Sequence, residues 1–140
     1  MANIKYFTLG EFLNSPTAKR LGIDNTPTFA VAENLIRLGQ YLDKVREKMG
    51  VPITVTSGYR STALNKAVGG VVNSQHTKGL AADLVCCDKI GLVNCIKEIG
   101  GFDQLITEHK KGSKDYWVHV SVPTKYGKAR QQVILNLEKK

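Results

Sequence analysis

One carboxylate set inside an apolar strand constrains this chain more than any other feature. Asp83 lies in Leu80-Ala81-Ala82-Asp83-Leu84-Val85, a run of small and apolar residues that reads as a strand. Burying an ionised carboxylate there is costly unless it is paired or ligates a cation. A fold that takes up this strand must therefore bring a partner to Asp83. His76 precedes it at the end of a Gly- and Asn-rich loop, and Gly79, Ala81 and Ala82 leave room for backbone to approach a site between the two. Zinc accepts a His nitrogen and an Asp oxygen together. On this pair alone the plainer reading, a strand-edge Asp and a surface-loop His, stays open.

His119 shifts that balance. It sits in Trp117-Val118-His119-Val120-Ser121, a strand-like run in which Trp117, His119 and Ser121 share one face at period two. A His inside a sheet needs partners for both ring nitrogens. Three ligands of type His, Asp and His leave the fourth position of a zinc ion open to water, the mark of a catalytic site.

The rest of the chain reads as one domain over residues 1–140, with no repeat, low-complexity stretch or linker. Thr8-Leu9-Gly10-Glu11 fits a capping box that opens a short helix, and Ser15-Pro16 a second start. Thr26-Pro27 opens the longest helix, whose apolar stripe runs through Val31, Leu35, Leu38, Leu42, Val45 and Met49 to a stop at Gly50. A strand at Ile53–Thr56, a short helix capped by Ser61 and a loop from Gly69 to Gly79 follow. After the Leu80–Val85 strand, Asp88 caps a helix to Ile99. Asp103–Glu108 and Trp117–Val122 form a hairpin joined by the polar stretch from His109 to Asp115, and Gln131–Leu137 adds a last edge strand. Helices come first and an antiparallel sheet dominates later, so the class is α+β.

Composition narrows the partners. Twenty Lys and Arg face twelve Asp and Glu, a net charge of +8, which favours an anionic neighbourhood such as nucleic acid, an acidic membrane or an acidic wall polymer. No zinc-finger spacing or RNA-binding aromatic motif supports nucleic acid. No stretch approaches the roughly 20 apolar residues that cross a bilayer. The first residues, Met1 to Tyr6, lack an apolar signal-peptide core, so synthesis in a cytoplasm without a standard secretion signal is expected. The three cysteines, Cys86, Cys87 and Cys95, are odd in number and read as free thiols.

Taken together, Ser57-Gly58-Tyr59-Arg60-Ser61, Ser74-Gln75-His76 through Ala82-Asp83, and Trp117-Val118-His119 resemble the zinc D-alanyl-D-alanine carboxypeptidase family. That family shares its fold and zinc site with lysostaphin-type peptidases and the hedgehog signalling domain. The resemblance runs from about Ile53 to Val122, and the short form looks like phage endolysins of this family. It implies N-terminal helices packed on a central, mainly antiparallel sheet, one zinc ion held by His76, Asp83 and His119, and a peptidoglycan stem peptide as substrate. The bond cut is of the D-Ala-D-Ala carboxypeptidase or L-alanyl-D-glutamate endopeptidase type. The chain is expected to act as a monomer on the cell wall after release, with no nucleic acid and no membrane insertion. A zinc-bearing wall-binding module without catalysis is the alternative.

The resemblance also assigns roles. Arg60 points into the cleft to bind a substrate carbonyl or carboxylate, and Ser74 and Gln75 line the groove. Many members place an acidic residue three positions before the last zinc His, where this chain has Tyr116, which is no base near neutral pH. A hairpin centred near Gly112-Ser113 sets Glu108 across from Trp117 and beside His119, which makes Glu108 the expected general base. Asp115, on the same strand parity as Trp117 and His119, is its rival. His109 reads as a solvated loop residue.

Overall fold

A computed structural model describes residues 3–139. The helices start where side chains satisfy the free amides of the first turn. In α1 (Leu9–Leu13) the Thr8 hydroxyl accepts from the Glu11 amide, and the Glu11 carboxylate accepts from the Thr8 amide. Ser15 caps α2 (Pro16–Leu21), with Pro16 in the first turn. The long helix α3 (Phe29–Met49) begins two residues beyond the expected start. Thr28, not Thr26, supplies the cap by accepting from the Val31 amide, while the Thr26 amide is held by Asp24. Gly50 ends α3 at φ 70°, a left-handed conformation that suits glycine. Leu35, Leu38, Leu42 and Val45 of its stripe are fully buried, each stabilising the fold by about 1.5–3 kcal/mol.

α3 packs beside α5 (Lys89–Ile99), which Asp88 caps, and both cover one face of a five-stranded sheet. The strands are β1 (Ile53–Ser57), β2 (Ala81–Cys86), β3 (Gln104–Lys110), β4 (Tyr116–Ser121) and β5 (Gln132–Lys139), in the order β1-β2-β4-β3-β5. The short α4 (Thr62–Ala67), capped by Ser61, follows β1. All neighbours are antiparallel except β3 and β5, which run parallel. The class is α+β, as the element order implies.

Alternation along the strands separates two faces. Ala82, Leu84, Leu105, Val118 and Val120 point into the core beneath the helices. Asp83, His119, Ile106 and Glu108 occupy the intervening positions and face the other way. The register places Asp83 opposite His119, His119 opposite Ile106, and Trp117 opposite Glu108. These pairings bring the chemistry-bearing residues onto the helix-free face near the middle of the sheet.

Two expectations are corrected. His109 is not in a loop: β3 continues to Lys110, and His109 pairs with Tyr116, so the turn is confined to Lys111–Asp115 with Gly112 at φ 79°. The segment from Gly69 to Gly79 is not all loop either. Ser74 caps a 3-10 helix, Gln75–Lys78, which Gly79 closes at φ 73°. Cys86, Cys87 and Cys95 are free thiols. Among the described residues no helix is long and apolar enough to cross a membrane.

Candidate metal centre

His76 is delivered by the 3-10 helix, and three backbone hydrogen bonds or caps fix it there. The Ser74 hydroxyl accepts from the His76 amide (3.2 Å), the Arg60 amide donates to the His76 carbonyl (3.1 Å), and His76 Nδ1 lies 2.7 Å from the Gly58 carbonyl oxygen. A carbonyl can only accept, so Nδ1 carries the proton and Nε2 presents a lone pair. That lone pair faces Asp83 Oδ1 at 3.3 Å. Two acceptors at this distance repel unless a positive charge lies between them.

His119 Nδ1 approaches the same Asp83 oxygen at 3.1 Å, and His119 Nε2 meets no partner among the described residues. His76, Asp83 and His119 are 2%, 8% and 7% exposed, so water does little to screen the cluster. Burial opposes ionisation of Asp83, while positive charge at the two imidazoles beside it holds its carboxyl well below the usual carboxylate range. One ligand atom from each residue fits within a 4.8 Å span. Tetrahedral zinc, with bonds of about 2.0–2.2 Å, sets its ligand atoms roughly 3.3–3.6 Å apart. The 3.1 and 3.3 Å separations seen here are close to that spacing and would open by a few tenths of an ångström.

Glu108 lies on the same face. It is 5% exposed, with Oε1 4.0 Å from His119 Nδ1 and Oε2 3.7 Å from Lys139 Nζ. Asp115 is not brought to the cluster. Its exposed carboxylate pairs with Lys89 at 2.6 Å beyond the start of β4. Arg60 follows β1 and reaches over the cluster: Nη1 donates to Asn65 Oδ1 at 3.1 Å and Nη2 stands 4.0 Å from Asp83 Oδ2. Burial lowers the pKa of this guanidinium, and the nearby Asp83 and Glu108 charges oppose that shift.

Ser74 and Gln75 line the cleft, but much of their hydrogen-bonding capacity is structural. Ser74 is the helix cap, and Gln75 Nε2 donates to Asp103 Oδ2 at 2.7 Å. Gln75 Oε1 is buried without a partner among the described residues.

Four residues of the site were missed in the sequence. Asn65 is 3% exposed and fixes both Arg60 and the Val71 carbonyl. Asp103 accepts a two-pronged pair of bonds from Arg130, at 3.0 Å from Nε and 2.7 Å from Nη2, besides the one from Gln75. Lys139 comes from the far end of the chain. Only Asp103 gave a signal, an acid beside Phe102 at the start of an apolar strand, and nothing local named its partners.

The sequence of residues 5–121 matches the family described as Peptidase M15. This chain belongs to the peptidase M15 family. Within it, a 44-residue stretch is 52% identical to the zinc D-Ala-D-Ala carboxypeptidase of Streptomyces albus G, covering 31% of this chain and 17% of that protein. The chain thus matches less than a fifth of that relative's length. The family resemblance carried by the Ser57–Ser61, Ser74–Asp83 and Trp117–His119 segments agrees with the M15 match. The donor set of this M15 chain fits a zinc ion, and its two imidazoles and one carboxylate leave a further position for another ligand.

Proposed function

We propose that this chain is a zinc peptidase that hydrolyses peptidoglycan stem peptides. The observation that carries the reading is the convergence of His76 Nε2 and His119 Nδ1 on one oxygen of Asp83, with Glu108 and Arg60 beside it. His76, Asp83 and His119 would hold the zinc ion, which would supply Lewis acidity to a water, bringing its pKa to roughly 7, and to a carbonyl. Glu108 takes a proton from the attacking water and returns it to the leaving amine. It is buried between His119 and Lys139 and lines the cleft. Arg60, oriented by Asn65, lines the cleft and offers its guanidinium to the developing oxyanion or to a substrate carboxylate.

The name of the Streptomyces relative and the +8 charge support a cell-wall substrate. The bond is D-alanyl-D-alanine or L-alanyl-D-glutamate, and the enzyme is of the phage or prophage wall-degrading kind that the short form resembles. Digestion of purified peptidoglycan with the zinc-loaded chain, followed by mass spectrometry, tests the reading. Release of peptides with one new terminus is expected, and the mass of the fragments names the bond. A chain that holds zinc and releases nothing would be the inactive wall-binding module instead.

A further inference from the structure

The cleft over the metal cluster has two arms that share Arg60, Gly70, Glu108 and Lys139. One arm, about 460 Å³ in volume, adds Lys110, Lys111 and Trp117 to that shared lining. It falls in the size range of small-ligand pockets. The other adds Ser74, Gln75, Gln104 and Arg130.

The two arms differ in uncompensated charge. Beyond the shared Arg60, Glu108 and Lys139, the second adds the Arg130 guanidinium, neutralised by its fork on Asp103, the two histidines of the cluster, and uncharged amide, hydroxyl and apolar side chains. In the first, parallel pairing of β5 on β3 sets Lys139 beside Lys110 in register, and the Lys111 amide donates to the Lys139 carbonyl at 3.0 Å. The three lysines thereby line one arm together. Lys110 and Lys111 form no ion pair among the described residues. The carboxylates of this arm are Asp83, turned to the histidines, and Glu108, shared between His119 and Lys139. An acidic group entering this arm would meet two unpaired lysines, Lys110 and Lys111, and a third shared with Glu108.

We propose that Lys110, Lys111 and Lys139 form a carboxylate-binding subsite, which takes an acidic group next to the scissile bond and so sets the direction in which a peptide lies across the cleft. This deepens the peptidase reading and rests on it for the identity of the ligand as a peptide. The carboxylate has two sources, the C-terminus of a peptide or an acidic residue within it.

Trp117 is the only tryptophan of the chain and lines this arm, so its fluorescence reports occupancy without turnover. The zinc-loaded chain is titrated at low salt with two pairs of acetylated peptides. One pair ends in D-Ala-D-Ala with a free or an amidated C-terminus. The other carries L-Ala-D-Glu or L-Ala-D-Gln, both amidated at the C-terminus. Binding of the charged member of at least one pair about tenfold tighter than its neutral twin is expected, and the pair that shows it names the source. The Lys110→Gln/Lys111→Gln double variant, which alters exposed side chains, should lose the preference and keep the affinity for the neutral peptides. Lys111→Glu should reverse it. Equal binding within both pairs, no response to any peptide, or a preference that survives the double variant overturns the proposal. Hydrolysis of the same peptides is followed separately. A chain that prefers carboxylates but cuts nothing keeps the subsite and loses the peptidase reading, and a chain that cuts without preference does the reverse.

Discussion

The Gly58 carbonyl oxygen and His76 Nδ1 lie 2.7 Å apart, and this one hydrogen bond decides which nitrogen of His76 faces Asp83. Partners of this kind, one step removed from a metal, orient the ligand ring and fix its tautomer. Gly58 also sits against the backbone of Phe12. A Cβ at this position would stand 2.7 Å from Phe12 Cα and 2.9 Å from its carbonyl carbon, and neither can swing aside. Gly58→Ala is therefore expected to destabilise the chain by about 1–3 kcal/mol and to weaken zinc binding by roughly 10–100-fold. Competition for zinc against a chromophoric chelator measures the second effect. Wild-type affinity in a Gly58→Ala chain whose stability has fallen would show that the Gly58 contact does not orient His76.

Metal content should follow the three ligands and ignore the thiols. The purified chain is expected to hold close to one zinc, and His119→Ala or His76→Ala should lose it or bind it weakly, because three ligands become two. A triple Cys86→Ser/Cys87→Ser/Cys95→Ser chain should keep its zinc, although Cys95 is buried and its loss lowers stability. Elemental analysis after dialysis decides. Zinc that departs with the thiols contradicts the ligand set.

Glu108→Gln preserves shape and removes basicity. Turnover on peptidoglycan peptides should fall by roughly two to four orders of magnitude with zinc content unchanged. Asp115→Asn should change it little, since that carboxylate is exposed and paired with Lys89. The reverse pattern hands the proton transfer to another group.

Acid should expose the part played by Asp103. Its hydrogen bonds from Arg130, and to a lesser degree from Gln75, hold the carboxyl below the ordinary aspartate range against the opposing effect of burial. A group depressed on folding stabilises fully above its unfolded pKa of about 3.9 and loses that contribution as pH falls through its lower folded value. Asp103→Asn should therefore be less stable than wild type at pH 7, with the gap narrowing below about pH 4. Urea unfolding midpoints of both chains at pH 7 and pH 3 check it, and a gap of constant size rules out the ionised fork as its cause.

The sequence showed best those features that follow from local periodicity. Period two put Trp117, His119 and Ser121 on one face, and the polar turn after Glu108 implied the Glu108–Trp117 register that the sheet adopts. The cost of an isolated buried charge pointed to a partner for Asp83 before any partner was in view. What stayed hidden depends on distant or very short elements. Four residues of 3-10 helix around His76 cannot be told from a loop, because their caps, Ser74 and Gly79, suit a turn equally well. The start of α3 moved because Thr26 and Thr28 both offer a capping hydroxyl and only the fold chooses between them. Arg130 and Lys139 reach the cleft through a crossover after β4 and a parallel pairing with β3, neither of which has a local signature.

The position of β5 in the sheet has a consequence for hydrogen exchange. β2 and β4, which carry Asp83 and His119, are paired on both sides, whereas β5 is paired on one side and leaves Val133, Leu135 and Leu137 partly exposed. Amides of the two inner strands should exchange only when the whole domain opens, and those of β5 through cheap local fraying. Lys139 rides on the fraying strand and the metal ligands do not. An ion held by Asp83 and His119 would thus rest on strands that stay closed, while Lys139 would leave and rejoin the cleft each time the sheet edge frays.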